Sequence, residues 1–422
     1  MSIRLRFTGE TDRPEVLLEA AKILAEERNY RLGAGERGLK VVMCPLGGEL
    51  TILWRPGEDP AGPWTVRGEC VSTPAGAGLH RAAVELLDNL PIHSLNAQDE
   101  TGFFRHRDFQ RMKEEHFYPW LNTLVDVCRQ ESGKGVSGIQ LCWDLEQYAP
   151  EDIPDTVITP MGRFRLSELA EMAERGGIEA LAERFFLWNG RTQDARFFRN
   201  RAINTLWEAC RFAPSTRGLE DTAVNNSILD DLERAARLDP GLPLPRSAYL
   251  EVCALADRAP SLPEGPELKE EFSPGYRKGL VTHALGTLRV TLPGAYLYRW
   301  EPWDNGGGAH LWSDDTSDGP VWRVNAYRIR EGDARFTDNL NTLHGVEGRT
   351  LKGGALRWGW REIREEGERL YQAECEVIAG PSLFFLTATC SDPGDLGQVA
   401  ELIGRVSVVS GAVRAETVQA WK

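Results

Sequence analysis

Residues 259–275 set Pro260, Pro263, Pro266 and Pro274 among charged side chains, and this break constrains the fold more than any other feature. Each proline fixes φ and removes a backbone donor, so neither a helix interior nor a central strand can run through the segment. On the N-terminal side, from Arg107 to about Pro260, apolar residues recur with helical spacing. On the C-terminal side, alternating apolar runs are separated by Gly, Asp and Asn turns. A linker over 261–280 is therefore expected between a helical region and a sheet-forming one.

The chain has 422 residues, roughly three times the commonest domain size of about 100–150. An α+β multidomain protein follows: a small α+β domain at 1–95, a mainly helical domain at 96–260, and an antiparallel-sheet α+β domain at 281–422. The first begins with an alternating strand, Ile3 to Phe7, then a helical pattern at Val16, Leu17, Ala20, Ala21, Ile23 and Leu24. Strands at Lys40–Met43, Glu49–Trp54 and Trp64–Cys70 and a helix at Leu79–Leu87 complete it.

In the helical domain, helices are expected at Asp108–Cys128, Leu166–Glu174, Ile178–Leu187, Phe197–Phe212, Asn225–Leu238 and Ser247–Ala256. An irregular insertion near 140–165 interrupts them, because Pro150, Pro154, Pro160 and Gly162 forbid a continuous helix. Asp239-Pro240-Gly241 closes a helix in the manner of a tetratricopeptide repeat, yet no period of about 34 residues recurs.

The last domain is read as strands Leu285–Leu292, Tyr296–Trp300, Ala309–Trp312, Val321–Arg330, Ala355–Ile363, Arg369–Ile378 and Ser382–Cys390. A helix at Leu396–Ile403 and a strand at Arg405–Val409 follow.

Composition removes several function classes. Forty-nine basic against 63 acidic residues give a net charge of −14, which opposes a surface that tracks a phosphate backbone. The eight cysteines are dispersed without a Cys-x-x-Cys pair, so reduced, buried thiols and a cytoplasmic location are expected rather than a disulfide scaffold or zinc site. No signal peptide is visible at the N-terminus, and Ser382–Cys390 is too short to span a bilayer. The seven histidines form no His-x-x-x-His or His-Glu-x-x-His spacing, so no metal is expected. Residues 132–138 and 306–308 are glycine-rich but do not keep the order of a phosphate-binding loop or a dinucleotide fingerprint, and no cofactor is expected.

The anomaly is aromatic. Of thirteen tryptophans, six (Trp300, Trp303, Trp312, Trp322, Trp358 and Trp360) fall within one part of the last domain, with Arg299, Arg323, Arg357 and Arg361 nearby. Trp358 and Trp360 share a strand face by the period of two. Such a set fills a sheet core or, with Arg323 and Arg357, makes a protein-binding surface of the hot-spot type. A second aromatic and basic stretch, Phe185 to Trp207, suits a buried helix face better than a platform for nucleobases.

Residues 285–410 resemble the PsbP/DcrB-like α+β superfold. The resemblance rests on the opening strand with Pro293-Gly294 near Tyr298 and Trp300, and on Trp358-Gly359-Trp360. It rests further on Tyr371–Cys375, Leu383–Thr387 and the final helix with Val406-Ser407-Val408. It implies a noncatalytic binding domain, since bacterial relatives include chaperones that hold secreted toxin effectors. The expected function is that of a bacterial adaptor, effector chaperone or toxin-neutralising immunity protein, its acidity suited to a basic partner. The alternative is a hydrolase with a site around His106, His116 and Asp144, between the N-terminal and helical domains; no catalytic residues are assigned by motif.

Overall fold

The computed structural model describes residues 2–57, 59, 62–136, 138–141, 148–150, 153–269, 272–304, 307–314 and 319–409. The protein is α+β and forms two compact units. The first comprises Met1–Trp143, Asp152–Cys210 and Glu220–Gly275; the second comprises Asp144–Glu151, Arg211–Leu219 and Tyr276–Lys422.

The first unit opens with strand β1 (Arg4–Thr11) and helix α1 (Pro14–Glu27), followed by β2 (Arg31–Gly35), β3 (Gly38–Cys44), β4 (Gly48–Arg55), β5 (Trp64–Val71), helix α2 (Ala77–Asp88) and β6 (His93–Asp99). The six strands make one antiparallel sheet in the order β2-β3-β4-β5-β1-β6. Alternation assigns the faces. Leu5, Phe7, Leu50, Ile52 and Val66 are buried, as are Leu17 and Ala21 of α1 and Leu79, Ala83 and Leu86 of α2. Arg6, Thr8, Leu53 and Arg67, one residue out of phase with these, are exposed. Both β2 and β6 lie outside the strands expected from sequence. Gly33 and Gly35 dilute the pattern of β2, and β6 has no residue below intermediate exposure, so neither carries a clean apolar alternation.

Helical turns α3 (Phe103–His106) and α4 (Phe109–Met112) lead through a π turn at Lys113–Phe117 into α5 (Tyr118–Glu131). The short strand β7 (Ile139–Gln140) follows. The next strand, β8 (Tyr148–Pro150), belongs to the second unit, where it pairs with Val281–His283. β9 (Thr156–Thr159) and β10 (Gly162–Arg165) form a hairpin that β7 extends in parallel, so the irregular insertion contains a small three-stranded sheet. Helices α6 (Leu166–Phe185), α7 (Ala195–Glu208), α8 (Leu219–Leu238) and α9 (Arg246–Leu255) complete the unit. Gly177, at φ +75°, interrupts α6 where the sequence pattern also divides. Phe185, Phe186, Trp188, Phe197, Phe198 and Trp207 are all buried, so the aromatic and basic stretch is core. The start of α2 is tied to this core: the Trp188 amide donates to the Ala75 carbonyl and the Gly78 amide to the Trp188 carbonyl. A Cβ at Gly78 would stand 2.2 Å from the Trp188 indole, which explains the glycine.

The expected linker is partly corrected. Up to Leu268 the proline-rich segment packs on the first unit: the Leu268 amide donates to the Leu244 carbonyl, the Leu244 amide to that of Pro266, and the Ser261 amide to the Tyr249 hydroxyl. Prolines forbid a ladder but leave alternate donors free, and the buried Leu268 anchors the strap.

The second unit contains β11 (Leu280–Leu285), β12 (Leu288–Pro293), β13 (Leu297–Pro302), β14 (Gly308–Ser313), β15 (Val321–Arg328), β16 (His344–Leu351), β17 (Gly354–Glu365), β18 (Glu368–Ala379), β19 (Ser382–Cys390), α10 (Leu396–Gly404) and β20 (Ser407–Val408). Seven strands form an antiparallel sheet in the order β13-β14-β15-β19-β18-β17-β16, and four form a second in the order β20-β12-β11-β8. One core joins them: Leu288, Val290 and Leu292 of β12, Val399, Leu402 and Ile403 of α10, and Trp312, Trp322, Cys375 and Leu386 of the larger sheet. On the opposite face of that sheet the segment 329–343 is pinned by the buried Glu376, which accepts hydrogen bonds from the Thr337 amide at 2.7 Å and from the Thr337 hydroxyl.

Candidate functional site

The register of the seven-stranded sheet decides which tryptophans a partner can meet. Tyr298 stands opposite Trp312, Trp312 opposite Trp322, Trp322 opposite Ala388, Ala388 opposite Ala373, and Ala373 opposite Trp360. In the neighbouring row Trp300 faces His310, then Val324, Leu386, Cys375 and Trp358 follow. Trp300, Trp312, Trp322, Trp358 and Trp360 therefore share one face. It is the face that α10 and β12 cover, so of the two readings of the set, sheet core and protein-binding surface, Trp312 and Trp322 take the first. Trp312 and Trp322 are 1% exposed, and Trp358 and Trp360 are half-buried against the same core. A tryptophan at the centre of such a sheet removes more apolar area from water than any other residue, so the concentration serves packing.

The arginines do not flank this row. Arg323 lies on the other face, 3.0 Å from Glu301. Arg357 is also on that face, donating to Asn341 Oδ1 at 3.1 Å with its guanidinium 5.5 Å from the Phe336 ring centroid. Trp303 sits in the turn after β13, half-buried, with its ring 6.5 Å from that of Tyr327.

What remains at the surface is the end of the row. Tyr298 and Trp300, two apart on β13, are 47% and 48% exposed. His310 lies between them, 4.7 Å from the Trp300 ring centroid and 5.9 Å from that of Tyr298, and Tyr298 Oη is 3.1 Å from His310 Nδ1. Burial pushes His310 below and Tyr298 above their ordinary ranges, so the patch stays uncharged near neutral pH. Deeper in, burial, with Arg277 and His310 adding to it, pushes His283 down to about 3, its ring 4.9 Å from that of Trp312. β13 is an edge strand: among the described residues no strand pairs with its outer side.

In the first unit, the sheet face opposite α1 and α2 is open. A cavity of about 420 Å³ lies on it, bordered by β4, β5, β1 and β6. Arg6 and Glu69 pair there at 3.4 Å, and farther along the same face Lys40 and Glu49 pair at 2.9 Å.

The histidines expected at a hydrolytic site are placed otherwise. His106 Nδ1 accepts the Asp108 amide at 2.9 Å and its Nε2 lies 3.2 Å from the Thr101 carbonyl, so backbone groups occupy both ring nitrogens. His116 lies in the π turn, and Asp144 falls outside the described residues. A Ser, His and Asp set is instead present where no motif announces it. His80 Nδ1 is 2.9 Å from Ser72 Oγ and His80 Nε2 is 3.0 Å from Asp99 Oδ1. Thr101 donates to Asp99 through both its amide and its hydroxyl at 2.8 Å, and the Phe104 amide does so at 2.7 Å. Ser72 and His80 are 0% exposed. Fully enclosed, the set braces α2 against the end of β6. Only the burial of His80 on α2, at a position in phase with Ala77 and Val84, could have signalled it.

Among the described residues no His, Cys, Asp and Glu group is arranged to hold a metal ion, and no helix is long and apolar enough to cross a membrane. The seven described cysteines are buried and none is in a disulfide; Cys142 lies outside the described residues.

No family model matches the chain, and no curated protein does. Among solved structures it is similar to a protein from Bacteroides thetaiotaomicron VPI-5482, with 14% identity and a TM-score of 0.23 over 29% of this chain. The match spans 45% of that protein's length.

Proposed function

We propose that the protein is a noncatalytic protein-binding protein, of the adaptor, effector-chaperone or immunity class, and that its second unit is a PsbP/DcrB-like domain whose β13 edge receives the partner. The observation that carries the reading is the presence, on one strand at the end of its sheet among the described residues, of two exposed aromatic side chains, Tyr298 and Trp300. An extended partner segment gains main-chain hydrogen bonds from such an edge and specificity from side chains that alternate against it. Large rings on a rigid strand supply contact area at low entropic cost. The net charge of −14 favours a basic partner, such as a toxin or effector, at the encounter stage.

The test is affinity capture from the native cell with the wild-type protein and with Trp300→Ala. Loss of a stoichiometric partner on substitution, with unchanged thermal stability, supports the reading. Equal capture by both proteins rejects β13 as the contact, and capture of a metabolite in place of a protein rejects the function.

A further inference from the structure

We infer that the open face of the N-terminal sheet is a binding site for an acidic peptide in extended conformation. This site lies in the first unit and does not depend on the β13 reading. The cavity of about 420 Å³ lies where β4, β5, β1 and β6 run side by side. Three strand spacings span about 14 Å, the length of about four extended residues.

Arg67 stands at the centre of this face, with Leu53 beside it on β4 and Thr8 on β1. It is exposed and has no ion pair among the described residues. Asn96 pairs in register with Thr8, and Gln98 with Arg6. Their side-chain amides likewise have no partner within the described protein. A guanidinium accepts a carboxylate in a two-pronged geometry, while primary amides both donate to peptide carbonyls and accept from peptide amides. Cation and amides within one groove match an acidic side chain and the main chain that carries it.

Charge sets the sign of the occupant. After the Arg6–Glu69 and Lys40–Glu49 pairs, the face keeps Arg4, Arg31, Arg55 and Arg67 against Glu10 and Glu100, on a chain whose net charge is −14. An acidic segment is attracted here and repelled by the rest of the surface. Single-stranded nucleic acid would need exposed rings on which bases stack. This face exposes no Phe, Tyr or Trp ring among the described residues: Phe7, though part of the cavity lining, is 2% exposed, and Trp64 belongs to the alternate set.

The test is fluorescence anisotropy with a labelled peptide of alternating glutamate and threonine, about ten residues long. Unlabelled lysine–threonine peptide and oligouridine serve as competitors. Wild-type protein is expected to bind, with affinity falling as salt rises; Arg67→Ala is expected to weaken binding about tenfold while Arg67→Lys weakens it less. Because Arg67 is exposed, both variants keep the wild-type melting temperature. Trp300→Ala binds as the wild type does, which separates this site from the β13 edge. Absence of binding, equal binding by Arg67→Ala, or displacement by oligouridine at lower concentration than by unlabelled acidic peptide overturns the inference.

Discussion

His80 Nε2 and Asp99 Oδ1 lie 3.0 Å apart, joining the first turn of α2 to the last residue of β6 in an enclosed network. Burial pushes the Asp99 carboxyl upward, but the bond and charge of His80, the Phe104 amide and the Thr101 hydroxyl together outweigh it and hold the group well below the carboxylate range. A depressed folded-state pKa contributes stability above the unfolded value of about 4, and that contribution drains away as pH falls below it. Asp99→Asn is expected to cost about 3 kcal/mol at neutral pH. The gap in melting temperature between variant and wild type narrows as pH drops from about 5 toward 2. A gap that stays constant across the titration would show that Asp99 does not act through its charge.

The two tryptophan environments of the larger sheet separate in a stability measurement. Trp322→Ala removes a fully buried ring and is expected to cost about 3–5 kcal/mol, whereas Trp300→Ala, at a half-exposed edge position, stays within about 1 kcal/mol. Urea denaturation of the two variants reads the difference directly. Similar losses would mean that the register of β13 to β15 is wrong.

Thr337→Val leaves the backbone bond to Glu376 in place but removes the hydroxyl donor from a carboxylate that is 2% exposed. The expected cost is about 1.5–3 kcal/mol. Hydrogen exchange should quicken locally, at the Ala334 and Ile329 amides, which donate to the Gly380 and Pro381 carbonyls. Uniform acceleration across the whole sheet would assign Glu376 a global role instead.

Gly78→Ala places a Cβ 2.2 Å from the Trp188 indole. Helix propensity alone predicts a gain of about 1 kcal/mol for alanine over glycine, so the sign of the change is diagnostic. Overpacking is expected to win, with a net loss of about 1–3 kcal/mol and a lower melting temperature.

The fold was legible where alternation or helical spacing was strong. β1, β4 and β5 carry clean two-residue periods because one face of each is buried, and β15, β18 and β19 keep the period over part of their length. β16 was not legible, since seven of its eight residues are exposed and no pattern marks a strand whose both faces meet water. The candidate site was legible only in part. The period of two placed Trp358 and Trp360 on one face, but which face α10 and β12 would cover depends on contacts between distant segments. The opening at Arg67 has the same origin: the alternation puts Thr65, Arg67 and Glu69 on one face of β5, but that this face stays uncovered follows from where the helices pack.

β8 has a further consequence, for the order of synthesis. Tyr148–Pro150 leaves the ribosome well before its ladder partner, Val281–His283 of β11, and the segments between belong mostly to the other unit. Its backbone donors and acceptors must stay solvated, or be shielded by another protein, until translation reaches β11. A nascent chain released or paused before residue 281 would therefore present an unfilled strand edge, and co-translational assembly of the second unit can begin only after the helical region is complete.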